Sequence, residues 1–225
     1  MFIAEMRKGV YMLNVLVVCE ESQAVCKAFR ELGHSAFSLD IQKCSGGHPE
    51  WHIVSDAIKY LEYCKKEKTF LDVYTQNGQW YTIPEWDLII AHPPCTYLTK
   101  TSAPSLFPKK RLNEDRYKRL LEARDFFLYL YEYPVEHLAI ENPIPLKIAN
   151  LPKASQEVNP CDFGAVFSKR TYLWLRNLPP LISTSICLNP LPHVMVRGNG
   201  SKNRSKTFPG LANAMASQWG VFCDV

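Results

Sequence analysis

The sequence predicts an α/β protein built on a doubly wound, mostly parallel sheet with helices on both faces. Three observations carry that reading. Residues 13–19 (LNVLVVC) form a short, Val-rich, nearly continuous apolar run, the pattern of a strand buried on both sides. Residues 22–32 place Ala24, Val25, Ala28, Phe29 and Leu32 at helical spacing, and Gly33 follows as a C-terminal stop. Residues 35–39 then read as a second strand ending in Asp40, and strand, helix, strand, acid is how a doubly wound sheet opens.

The later elements follow from the same signals. Residues 56–65 can be helical, and residues 70–83 contain VYTQNGQWYTI, a hairpin turning at Asn77-Gly78. Residues 88–91 form the next buried strand. Residues 111–131 make a long amphipathic helix that offers Leu120, Leu121, Phe127, Leu128 and Tyr131 for packing. Residues 137–140 are a strand running into Glu141-Asn142-Pro143; residues 171–175 alternate and suit an antiparallel strand; residues 209–219 close the chain as a helix. With 225 residues and no internal repeat, one domain is expected, carrying a hairpin insertion near 68–84 and a Pro-rich, basic loop region near 179–206.

Composition narrows the class. A 47% hydrophobic, 21% charged chain is an ordinary globular protein, which sets aside disordered and fibrous classes. The formal net charge of +4 permits a nucleic-acid partner without arguing strongly for one. Eight cysteines (19, 26, 44, 64, 95, 161, 187, 223) are scattered with no CxxC pair, so neither zinc spacing nor a compact disulfide framework is expected, and reduced cytosolic thiols are. Arg7 and Lys8 ahead of the apolar run at 10–19 imitate a signal peptide, but Glu20 and Glu21 stand where a small-residue cleavage pattern belongs. No run is long enough to span a bilayer, and the expectation is a cytoplasmic protein with no membrane or metal partner.

In an open α/β sheet, ligands collect beyond the carboxyl ends of the strands. Four features share that rim: Glu20-Glu21-Ser22, Asp40, His92-Pro93-Pro94-Cys95 and Glu141-Asn142-Pro143. Two prolines fix φ and remove backbone N–H groups, so the turn into Cys95 is stiff and its thiol has a defined direction. A core cysteine does not need that. Glu141 after a buried strand is either a cap or ion-pair member, or a sheltered acid held protonated to donate to a ring nitrogen. Cysteine with acid is a pyrimidine-activating pair: thiolate adds to C6, the acid engages N3, and C5 becomes a carbon nucleophile.

These residues carry a resemblance. Pro93-Pro94-Cys95 and Glu141-Asn142-Pro143 resemble, in order, the PC and EN motifs of the cytosine-5 DNA methyltransferases. Lys169-Arg170-Thr171-Tyr172 is similar to the start of that family's next strand, and residues 207–220 (TFPGLANAMASQWG) resemble its closing helix; the small size resembles phage-encoded members. The resemblance implies a Rossmann-like class I methyltransferase sheet, S-adenosylmethionine as cofactor, and DNA as substrate with the target cytosine flipped out of the stack. It assigns Cys95 as nucleophile, Glu141 as N3 partner and Arg170 as base contact, with Pro94 and Asn142 in the same motifs. On the cofactor side it implies Asp40 at the ribose hydroxyls, Asp56 near adenine and Glu20 or Glu21 at the methionine ammonium, with Ser22 and His92 on the same rim. For Asp40 and Asp56 the competing reading is a solvated or capping carboxylate.

The pattern also departs from the family. Its FxGxG loop is replaced by Cys19-Glu20-Glu21-Ser22-Gln23-Ala24, which has no glycine, so side chains must replace the close backbone approach. Val166 and Ser168 stand where QxRxR has Gln and its first Arg. In place of a large recognition domain there are roughly thirty residues, in which Arg197, Gly198, Gly200, Lys202, Arg204 and Lys206 either grip phosphates or form a solvated loop. Lys109, Lys110, Arg111, Arg116, Lys118 and Arg119 either hold DNA backbone near Cys95 or are the outer face of a helix. Two further readings stay open: an enzyme modifying C5 of a free pyrimidine nucleotide, and a catalytically silent scaffold that binds DNA or protein.

Overall fold

A computed structural model describes residues 12–67, 69–186, 188–192 and 206–223. Its centre is a seven-stranded sheet. Strands β1 (Asn14–Val18), β2 (Ser35–Asp40) and β3 (His52–Val54) run outward on one side. Beyond β1 on the other side come β6 (Leu88–Ala91), β7 (His137–Pro143), β10 (Thr171–Arg176) and β8 (Gln156–Val158). The order β3-β2-β1-β6-β7-β10-β8, parallel except for β10, is that of a doubly wound class I methyltransferase sheet.

Pleat alternation divides the core into two layers. Leu16 and Val18 of β1 face a cluster with Phe37, Leu39 and the helices α2 (Ala57–Lys66) and α4 (Glu114–Glu132). Val15 and Val17 face the opposite cluster, built on α1 (Ala24–Glu31) and the closing helix α5 (Pro209–Phe222). All four of these strand residues are 0% exposed, which is what a nearly unbroken apolar strand requires.

The hairpin forms as expected, with β4 (Leu71–Tyr74) and β5 (Trp80–Ile83) antiparallel and Gly78 supplying a positive φ at the turn. Its inner residues Leu71, Val73 and Ile83 are buried in the α2/α4 layer, so it is a packed flap. Helix boundaries differ from the sequence expectation for local reasons. The α4 helix begins at Glu114 because Asn113 caps it, accepting from the Arg116 N–H, while Pro108–Lys110 forms a separate tight turn with left-handed Lys109 and Lys110. The α1 helix begins at Ala24 because Gln23 is left-handed at φ 58°. The short helix α3 (Ala103–Leu106) and strands β9 (Phe167–Ser168) and β11 (Leu191–Pro192) complete the described α-helices and strands. Among them no helix is long and apolar enough to cross a membrane.

Candidate active site

The strand register builds the site. Val18 pairs with Leu39 and with Ala91, and Ala91 pairs with Ile140. One residue further on, Cys19, Asp40, His92 and Glu141 therefore stand in a row along the carboxyl edge, and the chain turns from His92 into Pro93-Pro94-Cys95.

Glu141 is held from two sides. Its Oε2 accepts a hydrogen bond from His92 Nδ1 at 3.1 Å, and its Oε1 accepts from the Thr171 hydroxyl. Burial alone would raise its pKa, but His92, Lys169 and Thr171 outweigh it and hold the carboxyl below the usual carboxylate range. Of the two readings the sequence offers for Glu141, this direction and the His92 hydrogen bond favour the ion-pair member at rest. A sheltered site does raise a lone carboxyl; this one is not alone.

Cys95 is half-buried, and its backbone carbonyl accepts from the Leu98 and Thr99 N–H groups, so the thiol sits at the head of a tight turn. Burial pushes the thiol pKa up; Lys169 pulls it down and the Glu141 charge adds to the rise. Cys95 and Glu141 thus feel each other's charge, and the same Lys169 acts on Cys95, Glu141 and His92. Asn142, 1% exposed, ties the two loops together by donating from Nδ2 to the Pro93 carbonyl at 2.7 Å. It is a clamp between the loops, and exposed Pro94 stiffens the turn.

Arg170 lies elsewhere. Its guanidinium is exposed and pairs with Glu157 at 3.2 Å. Thr171, the first residue of β10, reaches Glu141; Arg170 just before it pairs with Glu157, while Lys169 bears on the charges of Cys95 and Glu141. A shift of one residue in reading Lys169-Arg170 decides which cation meets the cysteine. Tyr97, two residues past Cys95, has the guanidiniums of Arg116 and Arg119 over its ring at 4.9 and 5.8 Å, and Arg119 donates to its hydroxyl at 2.9 Å. These two arginines fasten the cysteine loop to α4, whereas Lys109, Lys110, Arg111 and Lys118 are exposed.

The cofactor side is mixed. Glu20 is 3% exposed, and its two oxygens accept the N–H groups of Val25 and Cys26 at 2.6 and 3.1 Å. It caps α1 with both oxygens, while Glu21, the other candidate ammonium acceptor, is engaged by the Ser45 hydroxyl. Half-buried Ser22 lies beside it. His92 is turned to Glu141. Asp40 accepts the Gln42 N–H at 2.9 Å, and exposed Asp56 caps α2 by accepting from Lys59 N–H at 2.9 Å. Both acids act on Cys19, whose thiol is pushed up to about 12, chiefly by burial.

The missing glycines have a structural answer. Cys19 and Gln23 adopt the left-handed φ of 61° and 58° themselves. The bare backbone comes from the other side: Gly46 packs so closely that a Cβ there would lie 2.5 Å from Gln23 Cβ and 2.5 Å from Ser22 O. Gln23, fully buried, locks that crossing by donating to His48 O at 2.8 Å and accepting from His48 N–H at 3.0 Å. Left-handed turns at Cys19 and Gln23 with Asp40 and Asp56 flanking Cys19 fit an adenosyl group, hydroxyl and amine donors meeting the two acids. Lys206 donates to Ser45 at 3.2 Å, while Arg197, Gly198, Gly200, Lys202 and Arg204 lie outside the described residues. Cys19, Cys26, Cys44, Cys64, Cys95 and Cys223 are free thiols, and no cluster of three or more His, Cys, Asp or Glu that could hold a metal occurs among the described residues.

No protein-family model and no curated protein matches the chain. Among solved structures it is similar to a prophage-encoded E. coli protein described as a DNA modification methyltransferase, with TM-score 0.40 and 15% identity, covering 72% of this chain and 46% of that one. It is also similar to the Entamoeba histolytica methyltransferase EhMeth, with TM-score 0.42 and 20% identity, covering 80% of this chain and 57% of that one. The chain thus spans about half the length of these structures.

Proposed function

We propose that this protein is an S-adenosylmethionine-dependent methyltransferase acting on C5 of cytosine in DNA, with Cys95 as the nucleophile that adds to C6 and Glu141 as the partner of N3. One observation supports the reading: Cys95 and Glu141 follow two adjacent parallel strands, close enough that each bears on the other's charge and Lys169 bears on both. Lys169 lowers the cost of the thiolate, and Thr171 and His92 hold the carboxylate in place. Asp40, Asp56 and Glu21 are the residues that would hold S-adenosylmethionine, which supplies an electrophilic methyl group when bound. DNA as the substrate is supported by the Cys95/Glu141 pair together with the basic rim of α4, and Lys169 takes the base-contact role that the sequence pattern implies for Arg170.

The test is covalent trapping. DNA containing 5-fluorocytosine, incubated with the protein and S-adenosylmethionine, is expected to give an adduct that maps to Cys95 and is absent in Cys95→Ala. An adduct that persists in Cys95→Ala refutes the assignment. Trapping of a free fluorinated nucleotide but not of DNA moves the activity to the nucleotide level, and no trapping of either with no binding of the cofactor leaves the scaffold reading.

A further inference from the structure

His92 stands behind Glu141, and the chemistry just proposed uses it only to hold the carboxylate in place. Its position follows from register, one residue beyond the Ala91–Ile140 pair, and its backbone is pinned by donation to Val18 O at 2.9 Å. The side chain is only 10% exposed. One nitrogen, Nδ1, donates to Glu141 Oε2; the other, Nε2, is buried with no hydrogen-bond partner. A buried unpaired ring nitrogen is costly, so this placement is not explained by packing. The charged groups facing the ring are Glu141 from β7, Glu20 from the β1–α1 turn and Lys169 ahead of β10. Burial pulls the imidazole pKa down, but the two carboxylates outweigh burial and Lys169 together and hold it above the ordinary value.

We infer that His92 is a positioning residue that stores the proton destined for N3 of the pyrimidine and passes it through Glu141. The inference rests on the cytosine reading. Thr171 occupies Oε1, which leaves Oε2, between the imidazole and the substrate slot, as the oxygen that trades the proton. The half-buried Cys95 thiol first gives its proton to water; as the thiolate bonds to C6, the C5–C6 π pair shifts toward C4 and the C4–N3 π pair settles on N3. Nδ1 gives its proton to Oε2, the new O–H rotates toward the ring, and N3 takes the proton; His92 is left neutral. Once C5 carries its new substituent it loses its hydrogen to water, the sulfur leaves as thiolate, and the N3 proton returns by the same path. No external acid is needed at the buried end of the site.

His92→Asn separates storage from positioning, because the amide keeps an N–H donor for Glu141 and carries no transferable proton. In trapping with 5-fluorocytosine DNA and S-adenosylmethionine, the variant is expected to react about a hundredfold more slowly, with KM for DNA unchanged. The alkaline limb of its pH–rate profile should disappear. A variant that reacts at the wild-type rate, or that keeps that limb, overturns the inference. Should the wild-type protein form no adduct, the cytosine reading fails, and nitrogen-labelled histidine NMR decides the rest. A His92 imidazolium signal lost on Glu141→Gln supports one proton shared by the pair, and a signal indifferent to Glu141→Gln overturns it.

Discussion

Asn142 offers a measurable handle on the loop geometry that the proposed chemistry requires. Its Nδ2 donates to the Pro93 carbonyl across 49 residues of sequence at 2.7 Å, and its Oδ1 is buried without a partner. Asn142→Ala leaves a buried carbonyl unpaired, which costs about 1–3 kcal/mol, and at the same time removes an unpaired acceptor, which offsets part of that. A net loss of roughly 1–2 kcal/mol is expected, or a fall in Tm of about 2–8 °C for a domain of this size. Asn142→Asp is the sharper variant. At neutral pH it sets a carboxylate against a carbonyl, and an uncompensated buried charge costs roughly 3–5 kcal/mol. That carboxyl's folded pKa must lie above its unfolded value of about 3.9, so the penalty is absent in acid and grows as pH rises through the window between the two. Calorimetry at several pH values, with the rate of Cys95 alkylation mapped by mass spectrometry, reads both effects. If Asn142→Ala melts with the wild type and alkylates at the same rate, the clamp does not hold Cys95. If Asn142→Asp is no worse than Asn142→Ala at neutral pH, the donor assignment is wrong.

Other outcomes follow from the same geometry. Lys169→Met should slow alkylation of Cys95 at fixed pH, because the cation favouring the thiolate is gone, whereas Arg170→Ala should leave that rate unchanged and alter stability by less than about 1 kcal/mol, as an exposed ion pair does. Glu20→Ala should cost about 0.5–2 kcal/mol in a denaturant titration by uncapping α1. Gly46→Ala should lower stability by about 1–3 kcal/mol, since its Cβ meets backbone at Ser22, and a neutral effect would mean that the crossing over the first loop is not tight. Glu141, with its folded pKa depressed, stabilises above its unfolded value and loses that as pH falls; His92, with its pKa raised, stabilises at low pH and loses that as pH rises through the raised value. Tm should therefore fall on both sides of a plateau, and the alkaline fall should vanish in His92→Asn.

The elements that were legible in the sequence are those whose residues answer to local rules. Strand β1 could be read because both its faces are buried, the hairpin because Asn77-Gly78 tolerates positive φ, and β10 because an antiparallel strand next to a loop alternates. Helix starts were misplaced where a side chain from outside the apolar pattern sets the boundary, as Asn113 does for α4 and Gln23 with Glu20 for α1. The site was half legible. Cys95 and Glu141 announce themselves through the prolines and the strand ends, but which of Lys169 and Arg170 bears on them is settled in a loop before a strand, where no pattern signals it. Glu20 looked like a ligand because a carboxylate at a strand end has no apolar explanation; its partners are two backbone N–H groups that no sequence pattern displays. The absent glycines were conspicuous, yet the compensating Gly46 sits in a different loop and meets Gln23 only in three dimensions.

The resting protonation of the site sharpens what the proposed reaction demands. At rest the structure favours a neutral thiol at Cys95 and an anionic carboxylate at Glu141, whereas addition to C6 requires an anionic sulfur and a proton at N3. Lys169 cannot resolve this, because its charge favours the anion at Cys95 and at Glu141 alike. What differs between the two is His92, whose Nδ1 hydrogen-bonds the carboxylate. While the imidazole is charged, Glu141 stays anionic and its field opposes ionisation of the nearby thiol. Once Nδ1 hands its proton to Oε2, the carboxylate's charge is gone, and the thiolate is left with Lys169 and without its nearest anionic neighbour. Two protons therefore move: the thiol proton leaves to water, and the proton held between His92 and Glu141 goes to N3, the two events being linked through the field of Glu141 on Cys95.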